Sequence, residues 1–252
     1  MTNIFGAELR NPCVLIAVPT YNESENIDEL CRRLASAIPE ADILIIDDNS
    51  PDGTADRVRR IMNAQSKVRL IVRESKGGIG SAHMTALRAA HSCNAKVLVT
   101  LDADLTHNPE DIPRLLAALD SVDVVVGSRF MNGGGLHEWA LLRRITTHGG
   151  HLLTRLLLDI KYDATGALRA YRLGSLTDSL MNKPLHNGYP FMYQSLTWLA
   201  RSGATIKEVP IVLTPRTYGS SKMGFRDVLL GFIGIFGFAI SHRFKKTSVG
   251  NQ

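Results

Sequence analysis

An α/β protein, with a Rossmann-like, mostly parallel sheet and flanking helices, is the fold class this 252-residue sequence predicts. Two observations carry that expectation. Short apolar runs rich in β-formers alternate with stretches of helical periodicity, the pattern of crossover units. The apolar runs also end in polar, turn-forming clusters, three of them acidic, at the sheet edge where ligands gather in such folds.

The elements follow in order. CVLIAVPTYN (13–22) reads as a buried first strand, and ESENIDELCRRLASAI carries Ile27, Leu30, Leu34 and Ile38 at helical spacing. ADILIIDDNSPDGT is a second buried strand that stops at Asp47-Asp48 and enters a turn rich in Asn, Pro, Asp and Gly. TADRVRRIMNAQ is a helix with Thr54 as its expected cap, and VRLIVRE is a third strand. GIGSAHMTALRAAHSC opens a helix from a glycine-rich turn, and a fourth strand from Val97 leads into LDADLTHNPEDIP. NPEDIPRLLAALDS is helical and VDVVVGSRF is a fifth strand. Beyond Gly133 the pattern loosens into a basic amphipathic helix (140–160), a turn plus strand (163–176), a helix (189–203) and a strand running into a polar loop (205–223). No repeat or linker divides the chain, so residues 1–226 are expected to form one domain, with 227–252 as an apolar, basic-ended tail.

Composition narrows the classes of function. The chain is 44% hydrophobic and 21% charged, ordinary for a folded globular protein. A net charge of +5 suits anionic partners such as a sugar nucleotide or an acidic lipid surface. Nucleic acid is disfavoured, because the aromatics, 6% of residues, are not interleaved with a basic stripe. Three scattered cysteines suggest neither a disulfide framework nor a zinc site. The first residues show no signal-peptide pattern, so a cytoplasmic location is expected.

The acidic strand ends carry the chemistry. Tyr21-Asn22-Glu23, Asp47-Asp48 and Asp102-Ala103-Asp104 all fall at carboxyl ends of expected parallel strands. Asp102 and Asp104 are alternate residues and are expected to face one point beyond their strand. Two carboxylates so close raise each other's pKa, and a divalent cation removes the conflict. Hard oxygen ligands in low number favour Mg2+ or Mn2+ shared with substrate phosphates. Arg129 ends a buried strand, and Arg216 and Lys222 share the loop after another. Guanidinium forks at such places suit phosphate.

VPTYNESENI, IIDDNSPDGT, LDADLTHNPEDIP, VVGSRFMNGGG, DATGALRAYR and EVPIVLTPRTYGSSKM, in this order, resemble the dolichol-phosphate mannose synthases. These are polyprenyl-phosphate glycosyltransferases among the inverting A-type glycosyltransferases. The resemblance spans about residues 12–226 and implies an A-type glycosyltransferase fold. It also implies transfer of a hexose, usually mannose from GDP-mannose, to a polyprenyl phosphate at a membrane. Pro19, Tyr21 and Glu23 then resemble the base pocket, and Ile46 and Asp48 the base and ribose contacts. Asp102 and Ala103 match diphosphate contacts and Asp104 the principal metal ligand. Thr106 stands where a further ligand is found. Arg129, Arg216 and Lys222 match phosphate and sugar contacts, and Arg143 and Thr147 the acceptor-phosphate contacts. Asp102, Asp104, Arg129 and Arg216 are the expected catalytic set.

Two departures fall near the expected sugar and acceptor pockets: Leu168 replaces an aromatic of the T-S-G-F-R pattern, and Gln194 replaces the glutamate of F-Q-x-E-M. Rival readings are the same fold with a UDP-sugar or a soluble acceptor, and a non-catalytic nucleotide-sugar-binding subunit. The tail VLLGFIGIFGFAIS (228–241) has fourteen uncharged residues, too few for a comfortable span. With HRFKK beyond it, peripheral attachment to the cytoplasmic face of a membrane is expected.

Overall fold

The computed structural model describes residues 13–216, 218 and 225–247, leaving aside the side chains of 175, 176, 225–229 and 242–247. The elements are β1 Val14–Thr20, α1 Ile27–Ala37, β2 Asp42–Asp47, α2 Thr54–Ala64, β3 Val68–Val72, α3 Ile79–Ser92 and β4 Val97–Thr100. They continue with α4 Ile112–Ala118, β5 Val124–Ser128, β6 Gly135–Leu136, α5 Leu141–Leu158, β7 Arg169–Arg172 and α6 Ser175–Asp178. The chain then runs through α7 Phe191–Arg201, β8 Ile206–Pro210, β9 Val212–Leu213 and α8 Phe225–Thr247.

Seven strands form one sheet in the order β3-β2-β1-β4-β7-β5-β8, and β6 pairs with β9 in a small second sheet. Every pair in the large sheet is parallel except those of β7, which runs antiparallel to both β4 and β5. The mostly parallel sheet is as expected, and the reversal of β7 shapes the site. An antiparallel strand is entered from the edge at which its parallel neighbours leave. The loop at 163–168 therefore lies beside those following β4 and β5, with Arg169 opposite Thr100 and Val126.

Alternation along the strands divides the core into two layers. Leu15 and Ala17 of β1 pack on α3, α7 and α8, while Val14, Ile16 and Val18 face α1 and α4. Part of the tail packs on the domain. Ile235, Phe238 and Ala239 of α8 are buried in the same cluster as Leu196 and Leu199 of α7. Among the described residues no helix is long and apolar enough to cross a membrane.

One local expectation is corrected. Thr54 is the first helical residue of α2, preceded by left-handed Gly53 at φ +84°, and does not cap the helix. Its hydroxyl instead accepts the N–H of Glu23 at 3.0 Å, tying the end of β1 to that of β2. The glycine-rich turn before α3 serves a close backbone approach. A Cβ on Gly80 would stand 2.3 Å from the carbonyl oxygen of His186, and the N–H of Ser81 donates to Asn187 O at 3.0 Å.

Candidate active site

The strand ends after β1 and β4 meet through one arginine. Arg216 Nε lies 2.8 Å from Asp104 Oδ2, and its Nη1 lies 3.9 Å from Glu23 Oε1. Asp104 is 4% exposed and follows β4 by four residues. Both aspartates therefore stand in the loop, and strand alternation does not orient them. A turn does. Thr106 donates its hydroxyl to Asp104 Oδ1 at 2.7 Å and its N–H to the same oxygen at 3.1 Å. The intervening Leu105 is left-handed at φ +60°, a conformation costing a non-glycine residue on the order of 1–3 kcal/mol. Thr106, expected as a ligand, is thus the group that aims Asp104.

Asp102 stands beside this turn, its Oδ2 3.6 Å from Nδ1 of the buried His107. Burial pushes the Asp102 carboxyl above the usual carboxylate range. His107 and Arg216 pull it down, whereas Asp104 and Glu23 push it further up. A divalent cation would relieve that conflict. The donor set of Asp104 and Asp102 fits a hard ion such as Mg2+ or Mn2+ that takes its remaining ligands from a phosphate-bearing substrate. Among the described residues, no three His, Cys, Asp or Glu side chains form a fuller cage.

Arg143 lies near the start of α5. Its guanidinium lies over the Trp139 ring at 3.8 Å. Burial lowers its pKa, Arg216 lowers it further, and Asp104, Asp102 and Tyr189 act the other way. Thr147, one turn on, donates its hydroxyl to Arg143 O at 2.8 Å. That bond belongs to the helix, and it leaves the threonine bracing the helix below Arg143.

Other expected residues take different positions. Arg129 is committed elsewhere: its fork grips buried Asp163 at 2.7 and 2.6 Å and Thr165 Oγ1 at 2.6 Å. Burial would raise the Asp163 pKa, but Arg129 holds the carboxyl below the usual range. Asp48 pairs with Arg73 and accepts the N–H of Gly77 at 3.2 Å. Ile46 is fully buried in the core, so its side chain does not line an open pocket. Pro19 is half-buried opposite Ile46 in the β1–β2 ladder, and Tyr21 carries Lys76 Nζ 4.1 Å over its ring. Ala103 is 4% exposed between the two aspartates. Lys222 lies outside the described residues.

The two departures also find structural roles. Leu168 is a core residue packed near Gly127. Gln194 Oε1 accepts the N–H of His186 at 2.8 Å and braces the turn before α7.

The sequence pattern of Glycosyl transferase family 2 matches residues 15–180, most of the sheet and all the acidic strand ends. The chain belongs to glycosyl transferase family 2. Within the family it is 38% identical over 211 residues to an undecaprenyl-phosphate mannosyltransferase of Micrococcus luteus, covering 83% of this chain and 87% of the relative. It is 37% identical over 218 residues to a polyprenol monophosphomannose synthase of Mycolicibacterium smegmatis, covering 85% and 82%. Among solved structures, a mannosyltransferase from Pyrobaculum calidifontis in complex with GDP-Man and Mn2+ aligns with a TM-score of 0.62 at 20% identity. That alignment covers 93% of this chain and 65% of the other. Glucosyl-3-phosphoglycerate synthase from Mycobacterium tuberculosis aligns with a TM-score of 0.61 at 18% identity, covering 90% and 80%. The chain has the A-type glycosyltransferase fold, and it is a glycosyltransferase.

In this glycosyltransferase the residues that sequence reasoning missed are Asp163 and Arg73, and Arg169, one of the arginines suited to phosphate by sequence, has a structural place. Arg73 ends a strand much as Arg129 does, and the same signal applies to it. Arg169 is fully buried, donating to Ala164 O at 2.8 Å and Ser195 Oγ at 3.2 Å, so it stiffens the loop that carries Asp163.

Proposed function

We propose that this enzyme transfers mannose from GDP-mannose to a polyprenyl phosphate at a membrane surface, inverting the anomeric centre, with Mg2+ or Mn2+ as cofactor. The observation that carries the reading is Arg216 joining Asp104 and Glu23 beyond the strand ends, with Asp102 beside them. The names of the two curated relatives support the sugar and the acceptor class. A bound divalent ion would supply charge neutralisation at the departing diphosphate, with Asp104 and Asp102 as its holders. Arg216, lying between Glu23 and Asp104, supplies a fork for the same phosphates. Arg143, lying over the Trp139 ring, orients the acceptor phosphate. That phosphate is largely ionised at neutral pH, its second pKa being about 6, so the displacement needs no strong general base. Gln194 in place of a glutamate is consistent with this chemistry.

A panel of nucleotide sugars, assayed with polyprenyl phosphate and Mn2+ or Mg2+, tests the reading directly. GDP-mannose at about 100 times its Kd should raise the midpoint of thermal unfolding by roughly 5–10 °C. Protection and transfer by UDP-sugars alone would replace the donor, and transfer only to a soluble acceptor would replace the polyprenol.

A polyprenol leaves the bilayer at a cost of about 0.8 kcal/mol per CH2, so the site must work at the lipid surface. The chain exposes apolar side chains suited to that. Leu152 and Leu156 of α5 point outward, 55% and 67% exposed, while Leu153 and Leu157 pack against the core. Leu141 and Ile145 share the outer face of α5, and Ile233 and Ile240 are exposed on α8, which packs against it. The double variant Leu152→Glu/Leu156→Glu should lower the bound-to-free ratio on anionic liposomes about tenfold or more, since each buried leucine contributes about 1.5–3 kcal/mol. Unchanged flotation would show that this face does not meet lipid.

A further inference from the structure

Helix α5 is weakly held. Along its eighteen residues only Gly150, Thr154 and Leu158 are buried, and its first turns, which carry Arg143, are largely exposed. The contact that anchors its middle to the catalytic half is aromatic. Phe130 follows Arg129 at the end of β5, and its ring stacks on His151 with centroids 3.9 Å apart and planes 11° apart. His148, one turn earlier on the same face of α5, meets the same ring edge-on at 5.3 Å. Phe130 cannot swing freely, because its neighbour Arg129 is locked bidentately onto buried Asp163. Burial lowers the His151 pKa, which favours the uncharged ring in the stack. From His151 back to Arg143 is eight residues, about 12 Å of helix.

We propose that Phe130, seated by the Arg129–Asp163 pair, is a positioning residue that holds α5, and with it Arg143, in place for the acceptor phosphate. The role rests on the reading of Arg143 as an acceptor-phosphate contact. It gives the buried Arg129–Asp163 pair a use in acceptor binding: the pair fixes the seat of the helix that makes the contact. Donor-side groups on β1, β2 and β4 do not depend on this seat.

Phe130→Leu removes the ring and Phe130→Tyr retains it. Steady-state kinetics with GDP-mannose, Mn2+ and a polyprenyl phosphate should show the acceptor KM of Phe130→Leu raised on the order of tenfold. The Kd for GDP-mannose should stay within about twofold of the parent, and Phe130→Tyr should restore the acceptor KM. Hydrogen exchange should accelerate in α5 of Phe130→Leu and remain unchanged in β1, β2 and β4. Unaltered exchange in α5, or an acceptor KM that does not move, overturns the proposal. A parallel loss of donor affinity also overturns it, since the residue would then be generally structural. If the parent binds GDP-mannose yet transfers nothing to polyprenyl phosphate, the acceptor reading fails and the role in acceptor binding fails with it. Faster α5 exchange in that case would still support Phe130 as the anchor of the helix.

Discussion

Asp104→Asn is expected to lower glycosyl transfer by about 100-fold or more while leaving the fold in place. The size follows from the charge that is lost. A carboxylate that helps hold a divalent ion contributes several kcal/mol of transition-state stabilisation, and each 1.36 kcal/mol is a factor of about ten in rate. The fold should survive because asparagine keeps an oxygen where the Thr106 hydroxyl and N–H now donate, at 2.7 and 3.1 Å. Arg216 would lose its closer partner and keep Glu23, at 3.9 Å. The measurement pairs initial rates, with and without EDTA, against circular dichroism and the thermal midpoint. Full activity in EDTA, or in the variant, would remove the metal from the mechanism and leave Asp104 as a partner of Arg216 alone.

Asp163→Ala is expected to be the most destabilising single substitution at the site. The Asp163 side chain is fully buried and that of Arg129 is 9% exposed. Removing one partner of such a pair leaves a buried charge uncompensated, at a cost of about 3–5 kcal/mol. For a chain of this size that corresponds to a fall in the thermal midpoint of roughly 6–20 °C. Arg129→Met/Asp163→Leu should recover much of the loss, because neither charge then remains to be buried. The pH dependence has a definite sign. Arg129 depresses the folded-state pKa of Asp163, so the pair's stabilisation is present above the unfolded carboxylate value, about 3.9. It is lost as pH falls from there through the lower folded-state value. A variant as stable as the parent between pH 3 and 7 would show that the pair contributes nothing net.

The acidic half of the site was legible because it is local. Apolar runs that end in Tyr21-Asn22-Glu23, Asp47-Asp48 and Asp102-Ala103-Asp104 place those residues beyond strand ends wherever the strands pair. The motif series over about residues 12–226 pointed to the polyprenyl-phosphate glycosyltransferases, and the family match and the relatives agree. Assigning partners was harder, since any of the arginines after Gly127 suits a phosphate in isolation. Arg216 does reach Asp104, whereas Arg129 is taken by Asp163 and Asp48 by Arg73. Thr106 offers the oxygen expected of a ligand, and only the turn at Leu105 shows it donating to Asp104 instead.

The alternation of strands and helices, the positions of the strand ends and the amphipathic character of α5 were determined by the sequence alone. Each depends on neighbours a few residues apart, and periodicity records such neighbours directly. The direction of β7 was decided only by the tertiary structure. The run ALRAYR carries the same local signal whether it lies parallel or antiparallel, and its antiparallel place between β4 and β5 brings Asp163 to Arg129 across 34 residues of chain. The outward faces of α5 and α8 were decided in the same way. Leucines at 152, 153, 156 and 157 are equally apolar, and only packing against the core separates the exposed pair from the half-buried one.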